Sequence, residues 1–192
     1  MDWKKKLIRE AMGFYKENRK KVFDIVLYGS SVRGKGKPRD IDIMLILKNV
    51  DRKEYYDMPY MFRKEIEGKE IKVDVKGMFL EELFSPELLA RQGLIIEGYS
   101  LIKKEYLGKM LGFDRFSLFV YSLKNLSLTG KTKFQYALKG RGDRKGVSSQ
   151  LGGISIGIGS ILIPVEKSEL FKEFLARWEV NYREWRGLFV KA

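Results

Sequence analysis

Residues 40–47 read DIDIMLIL, two aspartates separated by one isoleucine at the head of an unbroken apolar run. In an extended strand, residues two apart share a face. Asp40 and Asp42 therefore project together, while Ile41, Ile43 and Leu45 turn to the opposite side, toward a core. Burying a bare carboxylate is costly, so the pair needs compensating charge beside it. A divalent cation relieves the repulsion between two carboxylates on one face. Hard oxygen ligands of this kind suit Mg²⁺ or Mn²⁺, which commonly bridge protein carboxylates to substrate phosphates.

The neighbouring segments supply what such a site requires. VFDIVLY, residues 22–28, is a β-branched run that stops at Gly29 and reads as a buried strand. Gly29 and Ser30 end that strand and open a short helix. Glycine lets a backbone approach a ligand closely, exposed amides favour phosphate, and Ser30 adds a hydroxyl donor. Arg33, about one helical turn on, is placed to clamp a phosphate oxygen. A third strand is expected over 71–78, with Asp74 at the centre of KVDVK. If that strand lies beside the first aspartates, three carboxylates can hold two metals, one activating a nucleophile and one steadying a triphosphate.

Helical spacing of Trp3, Leu7, Ile8, Met12 and Tyr15 predicts a helix over 2–18. Further helices are expected over 61–67, ended by Gly68, and over 86–97, opened by Ser85 as N-cap and Pro86 at the first position. The character of the chain changes near 109–113, which sets the expected boundary: a first domain over 1–112 and an accessory, acceptor-binding domain over 113–192. The second half is expected to hold a strand over 116–122, a Gly-Ile alternation over 152–165, an amphipathic helix over 168–180 and an aromatic-basic edge strand. The fold class is α+β throughout, a short mixed sheet backed by helices followed by a small α+β domain.

The chain has neither cysteine nor histidine. This excludes disulfides, thiolate and imidazole metal sites, and histidine acid–base chemistry. Catalysis falls to carboxylates, hydroxyls, lysines and arginines. No apolar run approaches a membrane span and no secretion signal stands at the start, so no membrane and a cytoplasmic location are expected. The formal net charge of +13 favours an anionic partner, nucleic acid above all. Abundant Lys and Glu with few Asn or Gln also suit a thermophilic surface.

GSSVRG followed by RDIDIMLI resembles the DNA polymerase beta-like nucleotidyltransferase superfamily, and most of all its minimal archaeal and bacterial members. Their pattern is a hydrophobic strand, Gly-Ser, Arg-Gly, then Asp-x-Asp, with a third carboxylate on a later strand, where Asp74 matches. SPELLARQGLIIEGYSLI is similar to the helix that closes such domains, and the resemblance covers residues 23–101. It implies metal-dependent transfer of a nucleoside monophosphate from an NTP to a hydroxyl, with release of pyrophosphate. Asp40 and Asp42 would bind both metals, and Asp74 would complete the catalytic site. Gly29, Ser30 and Arg33 would bind the nucleotide's phosphates. One departure is Arg39, where relatives often carry serine. Together with Lys35 and Lys37 it makes the loop unusually basic.

Beyond the boundary, residues 131–145 interleave Lys131, Lys133, Lys139, Arg141, Arg144 and Lys145 with Phe134 and Tyr136. Such a segment suits a nucleic-acid backbone with stacked bases, or a triphosphate. GGISIGIGS lacks the third glycine of a dinucleotide-binding loop and leads into a strand, so it reads as a packed strand instead. The expected acceptor is an RNA 3′ end such as that of tRNA. The alternatives are a protein hydroxyl, as in toxin–antitoxin members of the superfamily, and a non-catalytic nucleic-acid-binding protein on the same scaffold.

Overall fold

The computed structural model describes residues 3–33, 40–67, 72–85, 87, 88 and 90–190, with the side chains of Arg33 and Arg91 outside that description. The chain divides into two compact units, residues 1–112 and 113–192.

The first unit runs α1 (Trp3–Asn18), β1 (Val22–Tyr28), α2 (Ser30–Arg33), β2 (Asp40–Leu47), α3 (Arg52–Ile66) and β3 (Lys72–Phe79). A 3₁₀ turn (Leu80–Phe84) follows, then α4 (Arg91–Glu97), β4 (Tyr99–Ser100), β5 (Glu105–Tyr106) and α5 (Leu107–Met110). The sheet order is β3-β2-β1-β4-β5, with β2 antiparallel to β1 and parallel to β3. This is the expected mixed sheet. The alternating pattern of β2 explains its burial. Ile41, Ile43, Leu45 and Leu47 pack with Leu7, Ala11 and Phe14 of α1 and with Met58 and Phe62 of α3. Met44 and Ile46 face the other way, onto Val26, Met78, Leu94 and Leu107. That second face is apolar only toward one end of the strand; at the other end it carries Asp40 and Asp42.

Two expected helices differ. The helix expected over 61–67 begins nine residues earlier, at Arg52. Asp51 caps it: its carboxylate accepts from the Glu54 N–H at 2.8 Å, and Glu54 accepts back from the Asp51 N–H at 3.2 Å. Pro59 hid this helix, since proline removes a hydrogen bond from a helix interior. The Pro59 ring packs closely on Gly77 of β3, where a Cβ would stand 3.0 Å from it. The Tyr55 hydroxyl also donates to the Gly77 carbonyl at 2.9 Å. The helix expected over 86–97 is regular only from Arg91, and Ser85 ends the preceding 3₁₀ turn instead of capping a helix. Pro86 lies outside the described residues.

Asp24, on β1, is 2% exposed. It accepts from the Ile25 N–H at 2.7 Å and the Ser100 hydroxyl at 2.8 Å. Burial nevertheless pushes its carboxyl above the usual range, against those hydrogen bonds and the charge of Lys103.

The second unit runs β6 (Asp114–Ser122), α6 (Leu128–Lys139), β7 (Gly140–Arg141), β8 (Arg144–Lys145), α7 (Val147–Gln150), β9 (Ile154–Gly157) and β10 (Ser160–Pro164). A 3₁₀ turn, α8 (Ser168–Arg177) and β11 (Asn181–Phe189) complete it. The antiparallel sheet has the order β11-β6-β10-β9, and β7 and β8 form a separate hairpin. Without that hairpin and α7, the succession is β-α-β-β-α-β, the split βαβ arrangement. Phe119, Ile161 and Ile163 of the sheet pack on Phe134, Leu138, Phe171 and Leu175 of the two long helices.

The Gly-Ile alternation over 152–165 is two strands and not one. Gly159 turns the chain at φ +73°, where a Cβ would sit 2.8 Å from the Tyr121 carbonyl oxygen. The tail is an edge strand, paired with β6 along its whole length. On it, Glu184 accepts from Ser117 and Arg186 at 2.9 Å each and meets Lys172 at 2.8 Å. Burial pushes its carboxyl up, but these donors outweigh burial and hold it below the usual range. Among the described residues, no helix is long and apolar enough to cross a membrane.

Candidate active site

β1 stops where it does because Gly29 takes φ +74°, a left-handed conformation that glycine adopts without penalty. The position tolerates nothing larger: a Cβ on Gly29 would stand 2.6 Å from Asp42 Oδ2. The backbone at the strand end thus lies directly against the second aspartate. The Ser31 hydroxyl donates to the Tyr28 carbonyl at 3.1 Å, fixing the turn into α2. Ser30 is the first residue of α2 and is exposed. Arg33 is the last residue of α2, and Lys35, Lys37 and Arg39 lie outside the described residues.

Strand register brings the acids together. Asp42 of β2 stands opposite Tyr28 in the antiparallel pairing and opposite Asp74 in the parallel one. Tyr28, Asp42 and Asp74 therefore form a row across three strands on one face of the sheet. Asp40, two residues before Asp42, shares that face at the exposed end of β2. Lys76, two residues beyond Asp74, shares it too, and its ammonium lies 3.3 Å from Asp74 Oδ2.

The electrostatics follow from burial and from the crowding. Burial, then the charges of Asp40 and Asp74, push the Asp42 carboxyl above its usual range, and Lys76 offsets part of this. Tyr28 is likewise raised, chiefly by burial, with Asp42 and Asp74 adding to it. Lys76 is raised by its hydrogen bond and charge contact with Asp74. Lys76 and Tyr28 were not singled out from the sequence. The same period of two that pairs Asp40 with Asp42 would have found Lys76 in KVDVK.

Among the described residues, no group of three or more acids forms a ready-made metal cluster. The donors nevertheless fit a hard cation in kind. They are carboxylate oxygens alone, and the like-charge repulsion on Asp42 is of the sort that bound Mg²⁺ or Mn²⁺ relieves. The six basic residues singled out beyond the boundary lie on the second unit: Lys131, Lys133 and Lys139 on α6, Arg141 on β7, and Arg144 and Lys145 on β8.

Residues 8–94 match the family model described as a nucleotidyltransferase domain. This stretch runs from α1 into α4 and contains the whole carboxylate face, so the first unit carries a nucleotidyltransferase domain, as its residues led us to expect. No curated protein matches the sequence. Solved structures give a weak likeness. A toxin–antitoxin complex with AMP-PNP is 20% identical at a TM-score of 0.36, over 49% of this chain and 71% of that one. A tri-AMPylated HEPN toxin from Shewanella oneidensis in complex with MNT antitoxin is 17% identical at 0.35, over 51% and 71%. A mutant of the MntA-HpeT toxin–antitoxin is 17% identical at 0.36, over 49% and 71%.

Proposed function

We infer that the first unit transfers a nucleoside monophosphate from an NTP to a hydroxyl acceptor, with a divalent metal. The observation that carries this reading is the pairing of Asp42 with Asp74, beside a Gly29 backbone that leaves no room for a side chain. Gly29, Ser30 and Arg33 hold the triphosphate. Asp40 and Asp42 hold the metal, and Asp74 completes the site and helps take the acceptor's proton. A divalent cation bound there lowers the pKa of the acceptor hydroxyl and neutralises triphosphate charge. The acceptor oxygen forms a bond to the α-phosphorus, the bond from that phosphorus to the bridging oxygen breaks, and pyrophosphate leaves. Lys76 is the counter-ion of Asp74 when no metal is held.

For the acceptor, the net charge of +13 and the basic second unit support an RNA 3′ end. A protein hydroxyl is supported equally well by the family match, which names the reaction and not the acceptor. The likeness to AMPylated toxin complexes is too slight to transfer an acceptor to this chain. The test is incorporation of label from each α-labelled NTP into RNA and into protein, with Mg²⁺ and with chelator. Label that enters RNA and is lost in Asp40→Asn and Asp42→Asn supports the reading as stated, and label in protein moves the acceptor. Transfer retained in both variants sinks the carboxylate mechanism.

A further inference from the structure

The basic segment of the second unit is a built surface. α6 ends at Gly140, φ +97°, and the chain turns straight into the β7–β8 hairpin. The root of that hairpin is packed backbone against backbone. A Cβ on Gly140 would lie 2.1 Å from the Arg144 carbonyl oxygen, and one on Gly146 would lie 2.3 Å from the Gly140 nitrogen. Two glycines thus clamp the hairpin to the end of the helix and hold Arg141, Arg144 and Lys145 outward, all exposed. Tyr136 stands beside them on α6, 45% exposed, with the Arg141 guanidinium 4.9 Å from its ring centre. Tyr136 lines two open hollows. One of about 370 Å³ includes Tyr136, Lys139 and Ile158, and one of about 630 Å³ includes Tyr136, Arg141 and Arg144.

The charges here are unbalanced. Among the described residues, Lys131, Lys133, Lys139, Arg141, Arg144 and Lys145 make no ion pair, whereas Arg115, Lys172, Arg177 and Arg186 of the same unit each meet a glutamate. An exposed ring that lines two hollows, bordered by cations without a carboxylate partner, matches the needs of a flexible anionic strand with flat bases. Bases stack on aromatic faces, and phosphates follow a basic track.

We propose that the β7–β8 hairpin and Tyr136 form a binding site for single-stranded RNA, with Tyr136 stacking a base and Arg141, Arg144 and Lys145 holding the backbone. This rests on the nucleic-acid reading of the acceptor, but the site binds without the carboxylate face and without nucleotide.

Fluorescence anisotropy of labelled 12-nucleotide RNA, single-stranded and duplex, against salt concentration tests it on the full chain. Single-stranded RNA binds more tightly than duplex. Tyr136→Leu weakens binding about tenfold, while Tyr136→Phe, which keeps the ring, leaves it unchanged. Replacing Arg141, Arg144 and Lys145 together by glutamine lowers the slope of log K against log salt by about 2, near 0.7 for each lost cation. A charge-matched control, Lys5, Lys6 and Lys16 of α1 to glutamine, leaves the slope nearly as it was. Equal effects of the two triple variants, or no effect of Tyr136→Leu, would overturn the site. So would competition by Mg²⁺–NTP at this surface, which would make it a triphosphate site. Asp42→Asn retains RNA binding. Failure of RNA binding with NTP binding intact therefore removes this proposal and leaves the transferase reading standing.

Discussion

The carboxylate face of the first unit and the basic hairpin of the second are both charged surfaces, built by opposite means. On the first, strand register crowds like charges: Asp42 faces Asp74 across a parallel pair, with Asp40 beside it, and burial first, then this crowding, raise the Asp42 carboxyl. On the second, the cations, exposed except for the half-buried Lys131, are spread over a helix and a hairpin. A site made by register depends on each side chain, whereas a solvated basic track responds to salt and to the sum of its charges. The difference teaches where single substitutions should be decisive and where they should be graded.

The largest effect should come from Asp42→Asn. Losing a metal ligand removes several kcal/mol of transition-state stabilisation, so NMP transfer should fall by about a hundredfold or more. Melting temperature should hold or rise, because the lost charge is one the fold disfavours. A variant that is both inactive and unstable would break the contrast, since the acid would then be structural.

The glycines sharpen it next. Gly29→Ala forces a left-handed alanine, at about 1–2 kcal/mol, and drives its Cβ toward Asp42. Gly146→Ala meets Gly140 and Leu138 backbone instead, an overpacking of about 1–3 kcal/mol. The first should cost transfer and spare RNA binding; the second should cost RNA binding and spare metal-dependent NTP binding. Crossed results in the two assays would show the surfaces are not separate.

Asp24 gives a smaller, pH-dependent effect. Its native carboxyl is raised by burial, so ionisation destabilises the fold as pH climbs from about 4, the ordinary aspartate value, through the native one. Below that window Asp24→Asn should melt near wild type. Above it the variant should become the more stable of the two, by a gap that widens and then levels. Melting scans of both proteins across pH 3–8 read this directly, and a gap independent of pH would contradict it.

The smallest effect is at Lys76. An exposed ion pair is worth about 0.2–1 kcal/mol, so Lys76→Gln should tighten Mn²⁺ binding no more than about fivefold. Weaker Mn²⁺ binding in that variant would make Lys76 a support of the acid cluster and not a competitor for it.

Much of the first unit was legible because its signals are local. The apolar strands, the Gly-Ser turn and the Asp-x-Asp pair each follow from spacing within a few residues. Asp74 required only that two strands be neighbours, and their parallel register puts it beside Asp42. Where long-range packing overrides a local rule, the sequence misled. Pro59 breaks a helix on paper, yet α3 passes through it, with the proline ring packed against Gly77 on another strand. Asp24 gave no signal at all, since its partner Ser100 lies 76 residues away. The basic segment was visible as composition, but its division into helix and hairpin depends on Gly140 and Gly146 meeting across five intervening residues.

The most direct test of the carboxylate face is the melting temperature with each NTP, with and without Mg²⁺, for wild type and for the Asp40→Asn, Asp42→Asn double variant. A ligand that binds only the folded state at a hundred times its Kd adds about 2.7 kcal/mol. The account predicts a Mg²⁺-dependent rise of several degrees with at least one NTP in wild type, absent in the double variant. An equal rise in both proteins, or none with any NTP, would contradict it.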